Sequence, residues 1–280
     1  MKAAEYVADE TSLEVTTVSG YPRPDEVVGR CARGDTTSAF VGDTPLFELL
    51  EGVTYDDDHL ERVRSEHVSV FSQAKDAQSA DSAPHSYLEQ RAKLYALLER
   101  LLRRKHWGPF EHPSLTLAFK NVSVQTERQL TRHRHATYDV QSLRYVDVSD
   151  DFSAVVPKSA ADSDHATRHG VVEMDDADRE RAQKIIDNST QSQQERYVEL
   201  RELGMPAEDA RVVLGIGTQI NMTMTANLRT FLHILNLRES AGDAQWEIRG
   251  LGSLIKDELA DWAPMTIDLW EQHGPFVDGP

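Results

Sequence analysis

The spacing of apolar positions changes along the chain, and each spacing predicts an element. Residues 13–18, Leu-Glu-Val-Thr-Thr-Val, are β-branched and partly alternating, which predicts a strand. Pro24 opens a predicted helix over 24–33, and two further helices are predicted over 57–72 and 86–105. In the latter, Leu94, Leu97, Leu98, Leu101 and Leu102 form a stripe at helical spacing. Ser86 with Glu89 has a capping-box pattern at its start, and Arg103, Arg104 and Lys105 suit its C-terminus. A Ser/Ala/Asp-rich loop is expected over 74–85. Leu115, Leu117 and Phe119 alternate with Ser114, Thr116 and Ala118 and predict a half-buried strand. Residues 123–134 read as helix and 142–148 as strand. The stretch 149–176, rich in Asp, Ser, Ala and His, reads as an exposed loop or insertion. A long polar helix or helix pair then runs to Leu203, where Gly204 supplies a stop and Pro206 a fresh start. The last predicted helices cover 206–238 and 243–262, the second with Ile248, Leu251, Ile255, Leu259 and Trp262 on one face. Strands interspersed irregularly with helices predict an α+β fold, a small sheet packed by helices. No break in composition divides 1–280, so one domain is expected.

Composition narrows the class. Hydrophobic residues make up 39 %, and no apolar run approaches the length of a membrane span. No apolar stretch follows Lys2, so a signal peptide is not expected. The single cysteine, Cys31, allows no internal disulfide, which suits a reducing, cytoplasmic setting. Net charge is -17, from 47 acidic and 30 basic residues. Such a surface opposes nonspecific nucleic-acid binding, which requires phosphate neutralisation. Arginine is common and lysine scarce, a balance that suggests a halophilic, high-salt cytoplasm, with an ordinarily acidic bacterial-type enzyme as the alternative.

Against that background one window stands out. From 128 to 144 four arginines (128, 132, 134 and 144) face one acid, Asp139. Its simplest use is to hold a small polyanion such as a nucleotide phosphate, with guanidinium forks matched to phosphate oxygens. On charge alone, a solvated basic face pairing with nearby carboxylates fits equally well, and a basic-patch nucleic-acid module is a further reading. His133 and His135, two apart, do not share a helical face, so no metal site is expected. A second cluster, His106-Trp107-Gly108-Pro109-Phe110-Glu111-His112, joins a predicted helix to a predicted strand. In a third, Asn227 to Arg238, Leu228, Phe231, Leu232 and Leu235 form a core stripe, with Arg229 and His233 on a polar face. No serine or cysteine triad and no glycine-rich phosphate loop is present.

Together the three clusters resemble flavin-dependent thymidylate synthases. That family's signature is Arg-His-Arg, seven residues, then Ser; here Arg132-His133-Arg134 is followed by Ser142-Leu143-Arg144-Tyr145. Gln129, His106 and Pro109-Phe110-Glu111-His112 match upstream. Ala210-Arg211-Val212-Val213-Leu214, Asn236-Leu237-Arg238 and Ala244-Gln245-Trp246-Glu247-Ile248 match downstream, so the likeness spans about 28–260.

The resemblance implies a central antiparallel sheet packed by helices and a homotetramer with active sites between subunits. It implies conversion of dUMP to dTMP with FAD as cofactor and methylenetetrahydrofolate and NADPH as co-substrates. By position, Gln129, Arg132, Ser142, Arg144, Arg211 and Arg238 would bind dUMP, with Arg238 as the catalytic residue at the uracil. Gly108, Glu111, Arg132, His133, Arg134, Asn227, Arg229 and His233 would bind FAD. Three departures stand out. Thr137, Asp139 and Val140 replace the spacer's usual Ser and Asn-Glu, Leu143 a usual glycine, and Asp35 a usual serine. An alternative within the family is a homologue that binds flavin or nucleotide with weak or no synthase activity.

Overall fold

Alternating burial builds the strands and three-to-four spacing builds the helices. The computed structural model describes residues 13–65, 85–150, 152–161, 166–167, 170–171, 174–240 and 244–275. The elements run β1 (Glu14–Gly20), α1 (Pro24–Gly34), α2 (Leu46–Leu49), α3 (Asp57–Ser65), α4 (His85–Arg103), a 3-10 turn (Gly108–Glu111), β2 (Ser114–Ser123), α5 (Val124–Leu130) and β3 (Ala136–Val140). There follow α6 (Lys158–Ala161), β4 (Ala166–Thr167), β5 (Gly170–Val171), α7 (Asp176–Glu202), α8 (Ala207–Ala210), a 3-10 turn (Arg211–Val213), β6 (Gln219–Asn227), α9 (Leu228–Arg238), α10 (Trp246–Trp262) and α11 (Pro264–His273). The fold is α+β, as expected, with a four-stranded antiparallel sheet in the order β1-β2-β6-β3.

The described residues cluster into two units. The first takes 13–18, 116–225 and 237–254, and holds most of the sheet. There Lys120 Nζ lies 2.6 Å from Glu14 Oε1 between β1 and β2, and the Thr116 and Thr225 hydroxyls meet at 2.8 Å between β2 and β6. Leu117 and Phe119 of β2, and Ile220, Met222 and Met224 of β6, are buried at alternate positions. A separate cluster of Val148, Phe152, Ala154, Tyr197 and Ala210 packs Leu143, Leu200, Met205, Val213 and Leu214 around it. Leu143, one of the departures from the family pattern, thus has a place in the core.

The second unit takes 19–115, 226–236 and 255–275. Helices α1 and α4 approach closely at Gly29, where an added Cβ would sit 2.4 Å from Leu94 Cδ1. The buried Asp25 carboxylate accepts from Met265 N at 3.1 Å, Thr266 N at 3.2 Å and Thr266 Oγ1 at 2.5 Å, capping α11 from a neighbouring helix. Burial pushes that carboxyl above its ordinary range, and the Thr266 hydroxyl pulls it back.

Several expectations need correction. The region 206–238 is not continuous helix; it holds α8, a 3-10 turn and strand β6 before α9 begins. Ile220, Met222, Met224 and Ala226 alternate into the core between Asn221, Thr223 and Thr225, and the helix-forming Met and Ala mask that period of two. No strand occupies 142–148, because Ser142 O accepts from both Tyr145 N and Val146 N at 3.0 Å and curls the chain; β3 lies earlier, at Ala136–Val140. The helix expected over 123–134 stops at Leu130, where Thr131 Oγ1 turns back onto Glu127 O. The segment 149–176 is not simply exposed: Phe152, Ala154, Val155 and Val156 are buried, and Ala154 bridges to Thr218. Ser86 lies inside α4 rather than capping it, and Glu89 accepts from the Tyr55 hydroxyl instead. Helix α3 matches the first part of the predicted 57–72 helix; 66–84, including most of the expected loop, lie outside the described residues. Helix α7 is one continuous helix, stopped where Gly204 takes a left-handed φ of 89°.

Candidate functional site

Within the first unit, helix α5 and its flanks gather part of the Arg-His-Arg constellation. Ser123 caps α5 from an extended backbone, its Oγ accepting from Thr126 N at 3.2 Å. Past Leu130 the chain turns, with His133 N on Leu130 O at 3.0 Å, so Arg132, His133 and Arg134 sit in a turn rather than a helix. Tyr138 of β3 fastens that turn by donating to Leu130 O at 2.9 Å and His133 O at 3.0 Å. Burial raises the Tyr138 phenol to about 12, against the lowering pull of Arg238. Arg238, the last residue of α9, donates from Nε to His133 Nε2 at 3.0 Å and from Nη2 to Gln129 O at 3.2 Å. A guanidinium only donates, so the buried His133 accepts through Nε2 and is neutral, with its proton on Nδ1.

The Gln129 carboxamide is oriented too. Its Nε2 donates to Gln125 O and to Gln245 Oε1, each at 3.3 Å. The backbone acceptor fixes which end is nitrogen, leaving Oε1 as the atom free to accept from a ligand. Arg132 and Arg134 are exposed, and neither forms a hydrogen bond or ion pair among the described residues.

A further group in the same unit centres on Glu208. Arg144 donates to Glu208 Oε2 from Nε at 3.2 Å and from Nη2 at 2.9 Å, while Arg211 Nε donates to Glu208 O at 3.0 Å. The Arg144 guanidinium also lies over the Tyr145 ring, 5.6 Å from its centre. Ser142 Oγ accepts from Arg144 N at 3.3 Å. Glu208 thus touches Arg144 through its side chain and Arg211 through its backbone carbonyl, and Ser142 sits beside Arg144.

The second unit holds the rest. Pro109 and Phe110 are buried and anchor the Gly108–Glu111 turn, while Glu111 stays exposed and ion-paired with Arg229. The site a Cβ on Gly108 would take is open space. Leu228 N donates to Pro113 O at 3.0 Å, tying the start of α9 to this turn. Asn227 Oδ1 accepts from Thr230 N at 2.9 Å and so caps α9. Arg229 Nε is buried without a partner among the described residues. His233 follows one turn later, half-buried.

In the first unit, two exposed guanidiniums without carboxylate partners among the described residues can offer charge-assisted hydrogen bonds to an anion; in the second unit, taken by itself, the buried Arg229 N–H can do the same. Among the described residues no group of three or more His, Cys, Asp or Glu side chains is arranged to hold a metal ion. Two residues central to this geometry, Tyr138 and Glu208, were not singled out in the sequence. Glu208 stands three residues before Arg211, a spacing that could have flagged it.

The family described as thymidylate synthase complementing protein, Thy1, matches residues 51–265. A flavin-dependent thymidylate synthase of Halobacterium salinarum is 36 % identical over 268 residues, covering 92 % of this chain and 95 % of that protein. One from Haloarcula marismortui is 40 % identical over 213 residues, covering 73 % and 85 %. Among solved structures, a UMP/dUMP methylase, PolB from Streptomyces cacaoi with bound 5-Br dUMP, shares the fold. Its TM-score is 0.71 at 22 % identity, over 99 % of this chain and 100 % of that one. A family match across most of the sequence, relatives aligned over nearly their whole length and an Arg-His-Arg signature at family spacing agree: the chain belongs to the Thy1 family of flavin-dependent thymidylate synthases.

Proposed function

We propose that this enzyme methylates dUMP reductively to dTMP, with FAD as cofactor, methylenetetrahydrofolate as carbon donor and NADPH as reductant. The observation that carries the reading is Arg238, whose guanidinium is held in place by a neutral His133 and by Gln129 O. A fixed guanidinium against the uracil carbonyl edge stabilises the negative charge that develops as the ring is activated. Arg144 and Arg211, gathered by Glu208, take the nucleotide phosphate with Arg132 and Ser142, and Gln129 accepts from the nucleoside. Arg132, His133, Arg134, Asn227, Arg229 and His233, with Gly108 and Glu111, hold the flavin nucleotide. When bound, the flavin supplies the reducing equivalents that take the transferred carbon to a methyl group. None of these groups includes Cys31, which agrees with chemistry that needs no cysteine nucleophile.

Two wider proposals go with this. The units interleave along the sequence, which favours one catalytic domain over 1–280. In the first unit Tyr145 is 82 % and Val212 79 % exposed beside candidate binding arginines, apolar surface suited to cover by a second copy. We propose a homotetramer with sites shared between subunits, acting in the cytoplasm; no helix among the described residues is long and apolar enough to cross a membrane.

The test is direct. The purified protein should be yellow, its flavin spectrum should shift on adding dUMP, and dTMP should form once both co-substrates are present. A colourless protein that binds no FAD, or a flavoprotein that makes no dTMP, would overturn the reading.

A further inference from the structure

The segment Ala244 to Ile248 does more than orient the Gln129 carboxamide: it grips α5. Glu247 is fully buried, and no cation pairs with it among the described residues. Its Oε1 accepts from Ser123 N at 2.8 Å; its Oε2 accepts from Ser123 Oγ at 2.5 Å and from Gln125 Nε2 at 3.3 Å. Gln245 Oε1 accepts from Thr126 Oγ1 at 3.4 Å and Gln129 Nε2 at 3.3 Å. Two residues of one segment thus hold α5 along its length, while Tyr138 and Arg238 hold its far end.

We propose that Glu247, assisted by Gln245, is a positioning residue for substrate binding: it touches no ligand but sets where α5 presents Gln129 and where Gln129 O receives Arg238. The proposal rests on the roles given to Gln129 and Arg238 above. A buried carboxylate is costly unless its hydrogen bonds are satisfied, and here the start of α5 supplies them. The dependence is mutual. Without the carboxylate, Ser123 N–H and the Gln125 amide lose a buried acceptor, and the helix start must move to find others. Helix α5 has only seven residues, so a shift at its start is carried to Gln129 and the turn that holds His133.

The test is dUMP affinity of the FAD-loaded enzyme, read as the change in flavin absorbance well below the melting temperature, alongside FAD content. Glu247→Ala is expected to weaken dUMP by about ten-fold or more, and Glu247→Gln, which keeps one acceptor for Ser123 N–H, by about three-fold or less. Gln245→Leu, which leaves the buried carboxylate in place, is expected to weaken dUMP about five-fold and decides the matter if Glu247→Ala does not fold. Asp25→Ala is the matched control: it removes a buried carboxylate with three comparable hydrogen bonds in the other unit, so it should lower the melting temperature and leave dUMP affinity alone. Wild-type affinity in Gln245→Leu and Glu247→Ala, or an equal loss in Asp25→Ala, overturns the proposal. Failure of the wild-type enzyme to bind dUMP overturns the functional reading itself, which keeps the two failures apart.

Discussion

Arg238 meets His133 nitrogen to nitrogen, Nε to Nε2 at 3.0 Å, and the arginine is necessarily the donor. The family resemblance assigned His133 to the flavin and Arg238 to the uracil. In the fold the two side chains are one unit, with the histidine orienting the guanidinium. We predict that Arg238→Ala lowers kcat/KM for dUMP by about a hundred-fold or more with the fold intact by circular dichroism. Arg238→Lys should not rescue it, because a single ammonium cannot span both His133 and Gln129 O. Near-normal dTMP formation by either variant would remove Arg238 from the chemistry.

Tyr138 gives a prediction for alkaline pH. Its folded pKa, about 12, lies above the ordinary phenol value of 10.0, because burial favours the neutral form against the lowering pull of Arg238. A raised pKa means the folded state holds its proton more tightly. The contribution is therefore complete below pH 10 and is lost as pH rises through 12. Tyr138→Phe should destabilise by about 1–2 kcal/mol near neutrality, from the lost bifurcated hydrogen bond that serves two backbone carbonyls, and should flatten part of the alkaline decline. Denaturant melts at pH 8 and above 10 check this; wild type and variant falling in parallel would show that the Tyr138 proton is not coupled to folding.

What could be read in the sequence follows from what kind of signal each element carries. Helix α4 and strand β2 have long unmixed periods, and both form as expected. Strand β6 was hidden because Met222, Met224 and Ala226 are helix formers whose alternation is decided by tertiary packing. The Arg-His-Arg turn read as helix because its polar residues carry no period, and what stops α5 is local hydrogen bonding at Thr131 and Tyr138. The candidate site was legible as a set of residues through motif spacing. Its internal contacts were not, since pairs such as Arg238 with Gln129 are 109 positions apart. Asn227 is an instance: the resemblance implies a flavin contact, and the fold adds that its Oδ1 caps α9.

Cys31 tests whether the chemistry runs without a thiol. It lies half-buried on α1, and burial followed by the nearby Asp35 carboxylate pushes the thiol up. At neutral pH it is held as the weakly nucleophilic thiol. Cys31→Ser should keep turnover within about two-fold of wild type, and iodoacetamide should not inactivate the native enzyme at neutral pH. Loss of dTMP formation in a folded, flavin-loaded Cys31→Ser enzyme would restore a cysteine to the mechanism.

Salt should stabilise this protein. Two opposing effects decide the sign. Exposed ion pairs such as Arg144–Glu208 and Lys120–Glu14 weaken as salt screens them, but each is worth only about 0–1 kcal/mol. Against them stands the repulsion among 47 acidic residues that outnumber the basic ones by the full net charge of -17. Screening relieves that repulsion once the Debye length drops from about 10 Å near 0.1 M to a few ångström in molar salt. Because the acids outnumber the bases so heavily, giving a net charge of -17, the second effect wins, and the melting temperature should climb by several degrees between roughly 0.1 M and 2 M KCl. A flat or falling melting temperature over that range, measured by scanning calorimetry on the flavin-loaded enzyme, would mean that self-repulsion does not limit the fold and that the acidic surface has another cause.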